Sequence, residues 1–379
     1  GRSQAEGANM LAEAVAAHGG IVIWRAFVYQ DENSEDRVRQ ASSEFNPLDG
    51  QFSENVVLQI KNGPLDFMPR EPFHPLFGSL SRTNLAAEFQ ITQEYLGGSV
   101  HLAYLGPMWQ EVLNADTFAS GPGLTVARVI DGSLHVRPLT AMAGVANSGE
   151  DIYWRAHPLA QLNWYAFGRL AWNPTLEPER IADEWTRMTF SNDPDVVGLL
   201  VRMLMGSRET VVRYSMPLGL HHIMAGGHHY GPGPWVTLDR ADWSSPYYHQ
   251  ADEAGLGADR TETGSNALED YAPEWRARWG DFDSCPENLL LWFHHVPWDH
   301  PMESARTLWD ELCLTYQQGV EEVRALRSTW NQLAGRIDPQ RFTEVAQRLA
   351  RQEEDAVQWR DACLLYFQQF SKRALPAGV

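Results

Sequence analysis

Two acids, Asp66 and Glu94, stand 28 residues apart, about the length of one strand–helix–strand unit. Asp66 lies in NVVLQIKNGPLDFMPREP and Glu94 in AEFQITQEYLG. Each segment reads as an apolar strand that ends in polar residues. The first delivers Lys61 and Asp66, the second Gln93 and Glu94. If the two strands are parallel neighbours, both acids lie at one sheet edge, where barrel enzymes keep their chemistry. Two carboxyls in that setting serve as acid and base, as nucleophile and acid, or as a joint base. Lys61 would favour an ionised Asp66, and Asn62-Gly63-Pro64 would re-aim the chain at the strand end. The competing reading is a solvated loop acid plus a helix-capping acid.

Other candidate chemistry is weaker. His221-His222, His228-His229, His294-His295 and His300 invite a metal, but adjacent histidines point apart and none has metal-site spacing. They read as structural or sugar-contacting residues, so neither metal nor cofactor is expected. The glycines around residues 226–233 lack the strand-to-helix context of a phosphate loop, and no G-x-S-x-G elbow is present. The net charge of −19 disfavours nucleic acid and anionic membrane as partners. No apolar run is long enough to span a membrane. Three cysteines without metal-type spacing favour a reduced compartment, hence a cytoplasmic location. Fifteen Trp and twelve Tyr supply a large aromatic core, and flat aromatic faces also suit pyranose rings.

The elements that would position the acids follow from periodicity. A helical pattern over residues 9–18 ends at Gly19-Gly20. The apolar run Ile21 to Tyr29 predicts a strand covered on both faces. Arg25 interrupts it and, if buried, needs an anion, as a structural ion pair or as an anion-binding residue. Further strands are expected at Asn55–Lys61, Glu88–Tyr95 and Ala141–Asn147, and helices within 101–114, at 122–131 and at 157–172. Four strands alternating with helices read as half of an α/β barrel. Helices are then expected over 177–190 and 195–205, and a loop-rich stretch over 215–300. Leu308, Leu312, Tyr316, Val320, Val323, Leu326, Trp330 and Leu333 fall on one helical face. Another long helix is expected from Asp338-Pro339. The expected organisation is a partial (β/α)8 barrel over 1–176 and a mainly helical domain over 177–379.

The segments GGIVIWRAFVY, LQIKNGPLDF, REP, FQITQEYLG, GVANSG, HPLAQLNWYAFGRLAWNP, MPLGLHHI, GHHYGPGPW, YYHQAD, DRTETGSNA and LLWFHHVPWD closely resemble the family 67 α-glucuronidases, in order and over nearly the whole length. The resemblance implies hydrolysis, with inversion, of the α-1,2 bond between (4-O-methyl)glucuronic acid and the xylose of xylan fragments. It implies the second half of a (β/α)8 barrel followed by a helical domain that mediates homodimerisation. Carried over by motif, Asp66 and Glu94 match the carboxylates that activate the attacking water. Arg25 and Lys61 match the cations that hold the uronate carboxylate. Trp243, in ADWSSPYYHQAD, matches an aromatic that the helical domain lends to the sugar site.

The family's general acid is a Glu at the end of the fourth barrel strand, and no residue here corresponds to it. Met68-Pro69 also replaces a more polar pair. The chain alone is therefore expected to be inactive. Two other readings stay open: a non-catalytic sugar-binding or dimerisation module, and a retaining glycosidase.

Overall fold

The computed structural model describes residues 2–28, 35–135, 137–154 and 156–379. Four strands, β1 (Val22–Arg25), β2 (Val56–Lys61), β3 (Asn84–Gln90) and β4 (Ala141–Val145), pair in sequence order. All three pairings are parallel. Between them run the helices Arg37–Phe45, Leu76–Ser79, Gly106–Leu113 and Val126–Ile130. This is the curled parallel sheet of a half-barrel. Its C-terminal strand ends all lie along one edge, because every crossover returns the chain in the same direction.

Every residue of β2 and β3 is buried, as expected for strands flanked by neighbours and covered by helices. Two expectations need correction. The first strand covers only Val22–Arg25, and Ile21 and Ile23 are 52% and 54% exposed. Among the described residues its strand partner is β2 alone, so the apolar run does not translate into burial. Tyr29, at the end of that expected strand, lies outside the described residues. The third strand begins four residues earlier than periodicity implies and stops at Gln90. The ladder with β2 starts at Val57–Asn84 and runs to Lys61–Glu88. Tertiary pairing, which outweighs local pattern, leaves residues 91–97 as irregular chain beyond the strand.

The helical part is built on Pro178–Thr189, Pro194–Ser215, Leu308–Asn331 and Pro339–Ser371. All eight residues expected on one face of Leu308–Asn331 and its C-terminal turn are buried. Asp193, Thr307 and Asp338 cap three of these helices through their side chains, meeting backbone N–H groups that lack helical partners. Leu308–Asn331 lies so close to Pro194–Ser215 that a Cβ on Gly319 would stand 2.5 Å from the Tyr214 nitrogen. Glycine there sets the interhelical distance.

The 215–300 stretch docks this part onto the sheet. Tyr271 Oη donates to the Phe73 carbonyl (2.9 Å), Trp275 Nε1 to the Asp116 carbonyl (2.7 Å), and Arg260 pairs with Asp36 (3.0 Å). Trp275, Trp279 and Phe293 stack in series, at 4.4 and 5.0 Å between ring centres, and account for part of the aromatic load. Cys285, Cys313 and Cys363 are buried free thiols. Among the described residues no helix is long and apolar enough to cross a membrane.

Candidate active site

Lys61 is the last residue of β2, and Asp66 follows five residues later in a loop held by its neighbours. Lys61 Nζ donates to Asp66 Oδ1, and Tyr95 Oη donates to Asp66 Oδ2 at 2.7 Å. The ammonium lies over the Phe27 ring, 3.9 Å from its centre. Burial opposes ionisation of Asp66, but the Lys61 charge and hydrogen bond and the Tyr95 hydroxyl outweigh it, so its carboxyl titrates below the ordinary range. Burial in turn lowers the Lys61 pKa, against the pull of Asp66.

The loop owes its shape to Glu71. Its Oε2 accepts from Leu65 N (3.1 Å) and its Oε1 from Met68 N (3.0 Å). The chain passes so near this carboxyl that a Cβ on Gly63 would stand 2.1 Å from Cδ of Glu71, which explains the glycine in Asn62-Gly63-Pro64. Phe67, directly after Asp66, adopts a left-handed φ of +58°, an unusual backbone for an aromatic residue.

Glu94 lies beyond the end of β3. Gln90 Nε2 donates to its Oε2 at 2.8 Å, and His229 Nδ1 donates to its Oε1 at 2.8 Å. The His229 hydrogen bond is the main reason the Glu94 carboxyl titrates below its ordinary range. Asp66 and Glu94 are thus both held as carboxylates at the sheet edge, and Tyr95, which follows Glu94 in the chain, joins their surroundings.

Arg25 differs from the picture of a buried, unmatched guanidinium. Its side chain is 48% exposed, and it pairs with Glu88 through Nε (2.8 Å) and Nη2 (2.5 Å). Glu88, fully buried on β3, also accepts from Gln59 Nε2. The register explains the cluster: Arg25 lies beside Gln59, and Lys61 beside Glu88.

A cavity of about 570 Å³ opens beside these groups, with Asp66, Tyr95, His222, His229, Arg240 and Trp243 on its walls. Asp66 and Trp243, 177 residues apart in sequence, meet there. Trp243 is half-exposed, with the Arg240 guanidinium 5.0 Å from its ring centre. Arg25, Lys61 and Glu94 are not on its walls; Lys61 reaches it through Asp66, and Glu94 through His229. Among the described residues no group of three or more His, Cys, Asp and Glu is placed to hold a metal ion.

Sequence reasoning did not single out Glu88 or Tyr95, and it raised His229 only within the His228-His229 pair, as a structural or sugar-contacting residue. Glu88 had a signal, an acid inside an apolar strand run. The partner of His229 had none, because its contact with Glu94 spans 135 residues.

Comparison with known proteins identifies the family. Residues 1–154 match the family model described as "Glycosyl hydrolase family 67 middle domain", and residues 155–379 match "Glycosyl hydrolase family 67 C-terminus". "Probable alpha-glucuronidase A" of Aspergillus clavatus is 40% identical over 377 residues, 98% of this chain and 44% of that protein. "Alpha-glucuronidase A" of Emericella nidulans is 40% identical over 386 residues, 99% of this chain and 45% of that protein. The Aspergillus niger relative, "Probable alpha-glucuronidase A", is 39% identical over 368 residues, 95% and 43% respectively. The chain therefore spans less than half the length of these relatives. With residues 1–379 covered by these two family models and relatives 40% identical over nearly all of it, the chain belongs to glycosyl hydrolase family 67.

Proposed function

We propose that this chain forms the water-activating half of a xylan α-1,2-glucuronidase. The observation that carries the proposal is the pairing of Asp66 and Glu94. They follow neighbouring parallel strands, both are kept ionised, and Asp66 lines a cavity large enough for a small sugar. Arg25 and Lys61 engage the uronate carboxylate through charge-assisted hydrogen bonds, and Trp243 covers a sugar face. Asp66 and Glu94 orient a water and take its proton as its oxygen attacks the anomeric carbon. The bond to the xylose oxygen breaks, and an acid from outside these residues protonates that oxygen. This is a single displacement with inversion. The residues here, supplied alone, release no glucuronic acid. The barrel part extends to residue 176, and the helical part pairs two copies.

In the full-length enzyme, Asp66→Ala and Glu94→Ala should each lower kcat on a glucuronosyl xylo-oligosaccharide by ~10²–10⁴-fold while product still binds. Near-normal kcat in both would remove the pair from the chemistry.

A further inference from the structure

The loop around residues 226–231 reaches the site from the far side of the chain. His229 lies in it with a left-handed φ of +55°. The ring lies 5.0 Å from that of Tyr95 and places Nδ1 2.8 Å from Glu94 Oε1. An ionised carboxylate has no proton to give, so Nδ1 carries the hydrogen. The next residue anchors the loop. Tyr230 Oη donates to Asp355 on the long helix Pro339–Ser371, and its ring rests on Gly98, where a Cβ would stand 3.1 Å away. Asp355 is fixed in turn by His101 Nε2 at 2.7 Å and by Arg351 at 3.0 Å. A firm tether thus runs from the C-terminal helix through Tyr230 to the imidazole on Glu94.

We propose that His229 is a positioning residue for the water-side carboxylates: it fixes one oxygen of Glu94 and keeps that carboxylate proton-free, from a loop that the C-terminal helix holds in place. The inference rests on the reading of Glu94 given above. Gln90 holds the other oxygen of Glu94, so the two donors together set its orientation and leave proton acceptance to its remaining lone pairs. The charged and titratable groups facing His229 are Glu94, Asp66, Tyr95 and His222. Arg37, Arg240, Asp239 and Asp242 line the same cavity. Glu94 makes the direct contact and raises the His229 pKa through that hydrogen bond. Where His229 is protonated, the imidazolium and the carboxylate stabilise each other.

The test uses His229→Gly and His229→Asn in the full-length enzyme. Glycine takes the left-handed backbone without strain but removes the donor. Asparagine tolerates the same backbone and returns an N–H near the place of Nδ1. The readout is the acidic limb of the pH profile of kcat/KM. With the Gly variant the limb should move upward by about one to two pH units, the size of a charge-assisted hydrogen bond. The Asn variant should recover most of that shift. Glu94→Ala serves as the reference. If it abolishes turnover while His229→Gly leaves the limb in place, even with lower kcat, the inference about His229 is overturned and the reading of Glu94 stands. If Glu94→Ala turns over normally, the reading of the site itself has failed.

Discussion

At the residue scale, the site is a set of ion pairs that meet between strands. Arg25 shows how far residue type alone reaches. Its place in an apolar strand argues for burial and an anion, yet its side chain is half-exposed and its anion is Glu88. The need for a partner was legible in the sequence, whereas the partner's identity depends on register. Arg25→Ala in the full-length enzyme is expected to raise KM for the glucuronosyl substrate by roughly ten- to a hundredfold, the worth of a charged hydrogen bond. Melting temperature measured on the same variant registers the separate cost of leaving Glu88 with Gln59. A melting shift with unchanged KM would confine Arg25 to a structural role. The place of Asp66 and Glu94 beyond two neighbouring parallel strands was legible, because both acids follow strand-like runs one βαβ length apart. The contact of His229 with Glu94 was not, because adjacent histidines in a glycine-rich loop carry no periodicity that points to a partner 135 residues away.

At the element scale, β2 and its loop are the most constrained part of the site. Residues 65–68 fold around the Glu71 carboxyl, and burial there pushes its pKa up from 4.5 to about 8. The native state then holds the Glu71 proton more tightly than the unfolded chain does. The resulting stability is fully present below about pH 4.5 and is lost as pH rises through about 8. Glu71→Gln removes the titration. It also costs one backbone N–H its acceptor, a loss that does not vary with pH. The difference in unfolding free energy between the parent and Glu71→Gln, followed by denaturant titration, should therefore shrink as pH rises from 5 to 9. A constant difference would show that Glu71 is ionised throughout. The strand boundaries teach a related lesson. β2 matched its pattern because both flanks are paired. β3 shifted because pairing with β2 begins at Asn84, and β1 lost its expected cover because it lies at the sheet edge.

At the scale of the whole molecule, the sequence carried the half-barrel and the long helices well, since both depend on repeating patterns that many residues share. The face of Leu308–Asn331 is an example, with all eight expected residues buried. The 215–300 stretch was legible only as irregular, because its order comes from long-range contacts such as Arg260–Asp36 and Tyr271–Phe73. That stretch nonetheless supplies Trp243, His222 and His229 to the cavity that Asp66 and Tyr95 also line. The central claim is that Asp66 and Glu94 together activate water for one displacement. The most direct test is the anomeric form of the uronic acid first released, followed by ¹H NMR as the full-length enzyme acts on an α-1,2-glucuronosyl xylo-oligosaccharide. The account predicts that the β anomer appears first and the α form only later, by mutarotation. First release of the α anomer would mean a covalent intermediate and two displacements, and would contradict it.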